Sequence, residues 1–99
     1  MSYRHIFSPA ALAEYKEAVT WYQERSEMAA VNFVGAVSRK IKEICKDPER
    51  YRNTYKIFRE TSLKKFPFSI IYFQDKEKKT VVLSSIFHHR KNPRRKYNK

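Results

Sequence analysis

Apolar residues recur every third or fourth position through the first half of the chain and crowd into short runs in the second. These are the signatures of helices followed by strands. Tyr3-Arg4-His5-Ile6-Phe7 alternates and is rich in strand formers, so it predicts an opening β-strand. Ser8-Pro9 then stops the strand and starts a helix. The serine hydroxyl can cap it, and proline suits the first helical position, where no N–H is needed. Leu12, Tyr15, Val19 and Tyr22 fall on one helical face. Gln23 to Glu27 is polar and marks a break.

A second helix is predicted from about Met28 to Lys46, with Ala30, Phe33, Val37, Ile41 and Ile44 as its stripe and Val34 and Cys45 widening it. Asp47-Pro48 ends it, because proline disfavours helix in the residue before it. Glu49 to Tyr55 reads as a loop and Lys56–Glu60 as a short strand. Phe66–Gln74 is a strong strand with Pro67 at its start, where a missing N–H is tolerated. Asp75 to Lys79 lacks glycine, which predicts a hairpin loop longer than two residues. Thr80–Phe87 is the last strand. Strict alternation would put Val82, Ser84, Ile86 and His88 on one face and Val81, Leu83, Ser85, Phe87 and His89 on the other.

The expected fold class is α+β: an N-terminal strand and a two-helix hairpin packed on a small curved antiparallel sheet. The last three strands would form a meander, with the first strand at one edge. Ninety-nine residues make one domain, here 1–99, with one modest core. The single Cys45 lies on an apolar stripe and reads as packing. With no apolar stretch for a signal peptide or membrane span, the expected setting is cytoplasmic and reduced.

Charge changes the picture more than composition does. Residues 1–49 carry seven basic and seven acidic side chains. Residues 50–99 carry fifteen basic and three acidic ones, so the whole net charge of +12 belongs to the second half. A segregated charge makes a positive face, and nucleic acid is its default partner. No basic amphipathic helix points to a membrane. The positive half closes on His88-His89-Arg90-Lys91-Asn92-Pro93-Arg94-Arg95-Lys96-Tyr97-Asn98-Lys99, directly after the last strand. There is no phosphate-binding glycine loop, no Cys/His metal spacing and no serine-nucleophile motif. No cofactor or metal is expected.

Several short stretches, in this order, resemble the RelE/ParE superfamily of type II toxin–antitoxin toxins. They are Ser8-Pro9-Ala10, Trp21-Tyr22-Gln23-Glu24-Arg25-Ser26, Asp47-Pro48, Phe58-Arg59, Phe66-Pro67-Phe68-Ser69-Ile70-Ile71-Tyr72 and His88-His89-Arg90-Lys91-Asn92-Pro93. The resemblance spans about Tyr3 to Pro93. It implies a growth-arresting toxin encoded beside a cognate antitoxin protein that wraps and silences it. RelE-like toxins cut mRNA on the ribosome without metal, through basic residues and often a C-terminal tyrosine. ParE-like toxins instead poison DNA gyrase and are not nucleases. The two mechanisms are close to even, with Arg90 and Tyr97, through their match to RelE-like positions, slightly favouring mRNA cleavage; gyrase poisoning or a non-toxic nucleic-acid-binding relative are the alternatives.

Metal-free RNA cleavage needs a base for the 2′-hydroxyl, cations for the phosphorane and an acid for the leaving oxygen. Arg59 and Arg90 are the candidates for phosphate, since a guanidinium stays charged and offers a planar fork. The resemblance places Arg90 at the arginine that follows the last strand of RelE-like toxins. His88 and His89 are the candidate acid or base, because imidazole titrates near neutrality. Tyr97 lies near the position of the RelE-like tyrosine and could donate a proton or stack on a base. Lys64, Lys65, Arg94, Arg95 and Lys96 are candidate nucleic-acid contacts. Residues 94–99 read either as a flexible basic arm or as the segment that completes the site through Tyr97. Tyr72 reads as core and His5 as structural.

Overall fold

A helical hairpin lies against one face of a five-stranded sheet, the α+β arrangement expected. The structure is a computed structural model that describes residues 2–90; Met1 and residues 91–99 lie outside the described residues. The elements are β1 (Arg4–Phe7), α1 (Pro9–Gln23), α2 (Glu27–Lys46), β2 (Arg52–Tyr55), β3 (Phe58–Ser62), β4 (Phe68–Asp75) and β5 (Thr80–His88). The sheet order is β1-β5-β4-β3-β2.

Both helices start as the sequence dictates. The Ser8 hydroxyl accepts from the Ala11 N–H at 3.0 Å, and the Ser26 hydroxyl accepts from the Ala29 N–H at 3.2 Å. Each cap satisfies one donor that a helix end leaves open. The α2 stripe of Ala30, Phe33, Val37, Ile41, Ile44 and Cys45 is buried, as its periodicity predicts, while Val34 stays exposed. On α1 the buried positions are Ala11 and Ala18, with Tyr15, Val19 and Tyr22 partly buried and Leu12 exposed. Alanines let this helix sit close to β5, which a count of large apolar side chains does not reveal. Tyr22, Phe33, Phe66 and Phe68 form an aromatic cluster with centroids 5.0–6.4 Å apart. Such offset and edge-on pairs join both helices to the end of the sheet.

The structure corrects three expectations. The sheet is mixed: β1 runs parallel to β5, because the hairpin carries the chain back across the sheet before the meander begins. The stretch expected to be a loop, Glu49–Tyr55, contains β2, a polar edge strand paired with β3. It lacked an apolar signal because its residues are largely exposed. Asn53 secures the following turn by donating from Nδ2 to the Lys56 and Phe58 carbonyls at 2.8 and 3.0 Å.

The third correction is the alternation along β5. Ile71 pairs with Ser85 and Tyr72 with Leu83, so Ser84 is an extra residue in a β-bulge. Beyond the bulge the pattern flips, and Val81, Leu83 and Ile86 all join the core with Phe68, Ile70 and Tyr72. The bulge lies where β1 ends and α1 takes over the edge of β5. There the Ser8 N–H donates to the Leu83 carbonyl at 2.9 Å and the Ser8 hydroxyl to the Ser84 carbonyl at 3.1 Å. Glu14 Oε1 then accepts from the Ser85 hydroxyl at 2.9 Å and from the Ile86 N–H at 3.0 Å. A carboxylate on α1 thus takes the edge N–H that a longer β1 would have paired.

Candidate functional site

The described candidate residues are set by β3, β5 and the turn between β3 and β4, and the sheet distributes them over both of its faces. His88 pairs with Phe68, and its ring stands edge-on to Phe68 at 5.1 Å on the helix side. It lines an apolar groove of about 580 Å³ with Trp21, Tyr22, Pro67 and Ile86. Its Nδ1 accepts from the Arg90 backbone N–H at 3.0 Å. That nitrogen is therefore engaged in shaping the chain after the strand.

His89 belongs to the other face. Its Nε2 is 2.9 Å from the Ser69 hydroxyl, which in turn is 2.9 Å from the Ser62 hydroxyl. Ser69 lies between the core residues Phe68 and Ile70 and so points away from the helices. The His89 N–H donates to the Pro67 carbonyl at 2.9 Å, extending the β4–β5 contact beyond the strand end. Ser69 is buried and His89 exposed, so the relay runs from the sheet to solvent. Opposite faces for the two histidines agree with the alternation of the last strand. The serines that hold His89 carry no sequence signal of their own, since they become visible only once Ser62 and Ser69 are paired across β3 and β4.

Arg59 is separated from this group. It sits opposite Tyr72, whose ring is in the core, and the two share the helix face. Its Nη1 donates to the Tyr51 carbonyl at 2.7 Å and to the Glu49 carbonyl at 3.2 Å. Tyr72 donates its hydroxyl to the Pro48 carbonyl at 2.6 Å. Burial pushes the Tyr72 phenol far above its ordinary range, so it remains a donor. Together these two side chains hold the segment that leads from α2 into β2. Arg90 is exposed just beyond β5. Tyr97, Arg94, Arg95 and Lys96 lie outside the described residues.

Lys64 and Lys65 are exposed on the turn between β3 and β4. They line a second groove, of about 510 Å³, together with Arg39 and Lys40 of α2. Counting charge by halves of the chain hid this cluster, because residues 1–49 balance as a whole although α2 itself carries four basic and two acidic side chains. Within it Lys40 Nζ is 3.2 Å from Glu43 Oε1, and the Tyr51 hydroxyl donates to the same oxygen at 3.1 Å. These two hydrogen bonds, the lysine's first, hold the Glu43 carboxyl below its ordinary pKa. Elsewhere burial raises the Cys45 thiol, which leaves little thiolate for chemistry. Among the described residues no group of three His, Cys, Asp or Glu is arranged to hold a metal ion. No helix among them is long and apolar enough to cross a membrane.

Comparison with known proteins places this architecture. The family described as ParE toxin of the type II toxin–antitoxin system parDE matches residues 5–93. No curated protein matches by sequence. Among solved structures, the chromosomal ParDE toxin–antitoxin system from P. aeruginosa superposes with a TM-score of 0.73 at 14% identity, over 88% of this chain and 96% of that one. The isolated E. coli RelE toxin gives 0.64 at 15% identity, over 93% and 89%. The RelBE2 toxin–antitoxin complex from Mycobacterium tuberculosis gives 0.59 at 15% identity, over 89% and 99%. With a family match across nearly its whole length and this shared fold, the chain belongs to the ParE toxin family of type II toxin–antitoxin systems, within the RelE/ParE superfamily.

Proposed function

We propose that the protein arrests growth by binding and poisoning DNA gyrase, as ParE-like toxins do, and that a cognate antitoxin silences it. The observation that carries this reading is the separation of the candidate catalytic groups among the described residues. General acid–base cleavage needs base, acid and phosphate-binding cation around one reacting phosphodiester. Here Arg59 and His88 face the helices, Arg59 is occupied with backbone carbonyls, and His89 lies on the opposite face. A toxin that works by surface contact has no need to gather them. The ParE family match supports the same direction.

One observation favours the second reading, ribosome-dependent mRNA cleavage. The Ser62–Ser69–His89 relay fixes an exposed imidazole beside Arg90, a pairing of proton-transfer group and cation. In that reading His89 takes the proton of the 2′-hydroxyl, Arg90 stabilises the phosphorane, and Tyr97, Lys64, Lys65, Arg94, Arg95 and Lys96 hold the RNA. Induced expression separates the two. Gyrase poisoning predicts growth arrest with protein-linked DNA breaks and intact mRNA by primer extension. Discrete new mRNA ends without DNA breaks would replace it with the nuclease reading. Co-expression of the adjacent antitoxin reading frame should restore growth in either case.

A further inference from the structure

The chain has one glycine, and it lies in the interior of α2, where glycine weakens a helix relative to alanine. A Cβ at Gly35 would stand 3.3 Å from Arg39 Nη1. The Arg39 guanidinium thus lies over the preceding turn, where glycine leaves it room, and Arg39 also lines the groove that α2 forms with the β3–β4 turn. Lys64 and Lys65 face it across that groove. Their turn is held firmly. The Leu63 N–H donates to the Phe68 carbonyl at 2.9 Å and the Phe68 N–H to the Phe66 carbonyl at 2.8 Å. Leu63 is buried, and the Phe66 ring packs 5.4 Å from both Phe33 and Tyr22.

Charge in the groove is one-sided. Glu43 is the sole acid among its described lining residues, and it is bonded to Lys40 and Tyr51. Arg39, Lys64 and Lys65 are left as a cationic surplus on two rigid elements. A peptide partner would need an apolar anchor here. Of the apolar lining residues, Leu63 is in the core, Phe66 packs against it, and Ala36 offers only a methyl group. A phosphodiester backbone needs only positioned cations.

We infer that the groove between α2 and the β3–β4 turn binds the phosphate backbone of duplex DNA through Arg39, Lys64 and Lys65. The choice of DNA rests on the gyrase reading: a toxin that poisons gyrase works beside the DNA segment that the enzyme holds, and this groove lets it contact that segment directly.

Binding of the full-length toxin to a labelled duplex, without gyrase, measured by anisotropy across a salt series, tests this. Each phosphate contact contributes about 0.9 to the slope of log affinity against log salt, so Arg39→Ala, Lys64→Ala, Lys65→Ala should flatten the slope by about 2.7. Lys64→Ala, Lys65→Ala alone, confined to an exposed turn, should flatten it by about 1.8. The charge-matched Lys42→Ala, Lys46→Ala, Lys78→Ala protein should keep the wild-type slope. Equal losses in both triple variants would show diffuse attraction and overturn the site, as would no change in the groove variants. Tighter binding of single-stranded RNA that depends on the same three residues would overturn the choice of DNA. A groove variant that loses antitoxin affinity while keeping DNA affinity would assign the groove to a protein. Because gyrase is absent, a gyrase that proves insensitive to the toxin leaves these measurements standing as a separate result.

Discussion

Replacing Arg59 by alanine separates a structural arginine from a catalytic one. The side chain makes two hydrogen bonds, at 2.7 Å to the Tyr51 carbonyl, partly buried, and at 3.2 Å to the Glu49 carbonyl, exposed. Water can replace the exposed bond at little cost, whereas the partly buried carbonyl loses a charged donor. Hydrogen bonds to charged groups contribute about 1.5–3 kcal/mol net, so after partial rehydration the loss should be about 1–2 kcal/mol. For a chain of this size that lowers Tm by roughly 4–16 °C. Urea denaturation should show a lower midpoint with an unchanged m-value. Gyrase inhibition per mole of folded protein should stay within about twofold of wild type. A guanidinium that stabilised the transition state of mRNA cleavage would instead cost about 10²–10³ in cleavage rate on removal. A variant with wild-type stability and a hundredfold loss of activity, on the order of that catalytic effect, would refute the structural role.

Three further outcomes follow from the same geometry. Glu14→Ala removes the acceptor for the Ser85 hydroxyl and the Ile86 N–H and should destabilise the fold by about 1–3 kcal/mol in urea unfolding, whereas Glu14→Gln, which keeps an oxygen there, should lose less. Gly35→Ala should stabilise α2 by about 0.5–1 kcal/mol, because the added methyl meets only the movable end of Arg39; a lower Tm would contradict this. The Glu43 carboxyl is held below its ordinary value of 4.5 by Lys40 and Tyr51, so its stabilisation is present above that pH and is lost as pH falls through the lower folded value. Glu43→Gln should therefore be slightly less stable than wild type near neutrality and converge with it on acidification, the effect being small for a half-exposed carboxylate; a gap that stays constant down to low pH would exclude the linkage.

Elements with strong local signals were legible from residues alone. Ser8-Pro9 and Asp47-Pro48 bracket the helical hairpin through backbone chemistry that needs no tertiary context. The absence of glycine between Asp75 and Thr80 matches a loop longer than two residues, with Lys79 taking a positive φ of 48°. Features that depend on a neighbour were not legible. β2 has no apolar stripe because it is an exposed edge, and pairing with β3 alone makes it a strand. The Ser84 bulge arises where α1 replaces β1 along β5, which no alternation along one strand can foretell. The charge of Arg59 was legible in the sequence, whereas its two carbonyl partners, Glu49 and Tyr51, were not. Arg39 was hidden for the converse reason: acids elsewhere on the first half balance its charge in the sequence but not in the groove.

The most direct test of the central proposal uses purified toxin, gyrase, relaxed plasmid and ATP, beside a translating extract analysed by primer extension. Gyrase poisoning predicts lost supercoiling, linear DNA released only after protease treatment, and no new mRNA ends. Unimpaired supercoiling, with discrete cuts in translated mRNA, would contradict it and return the open-face histidine and Arg90 to the centre of the mechanism.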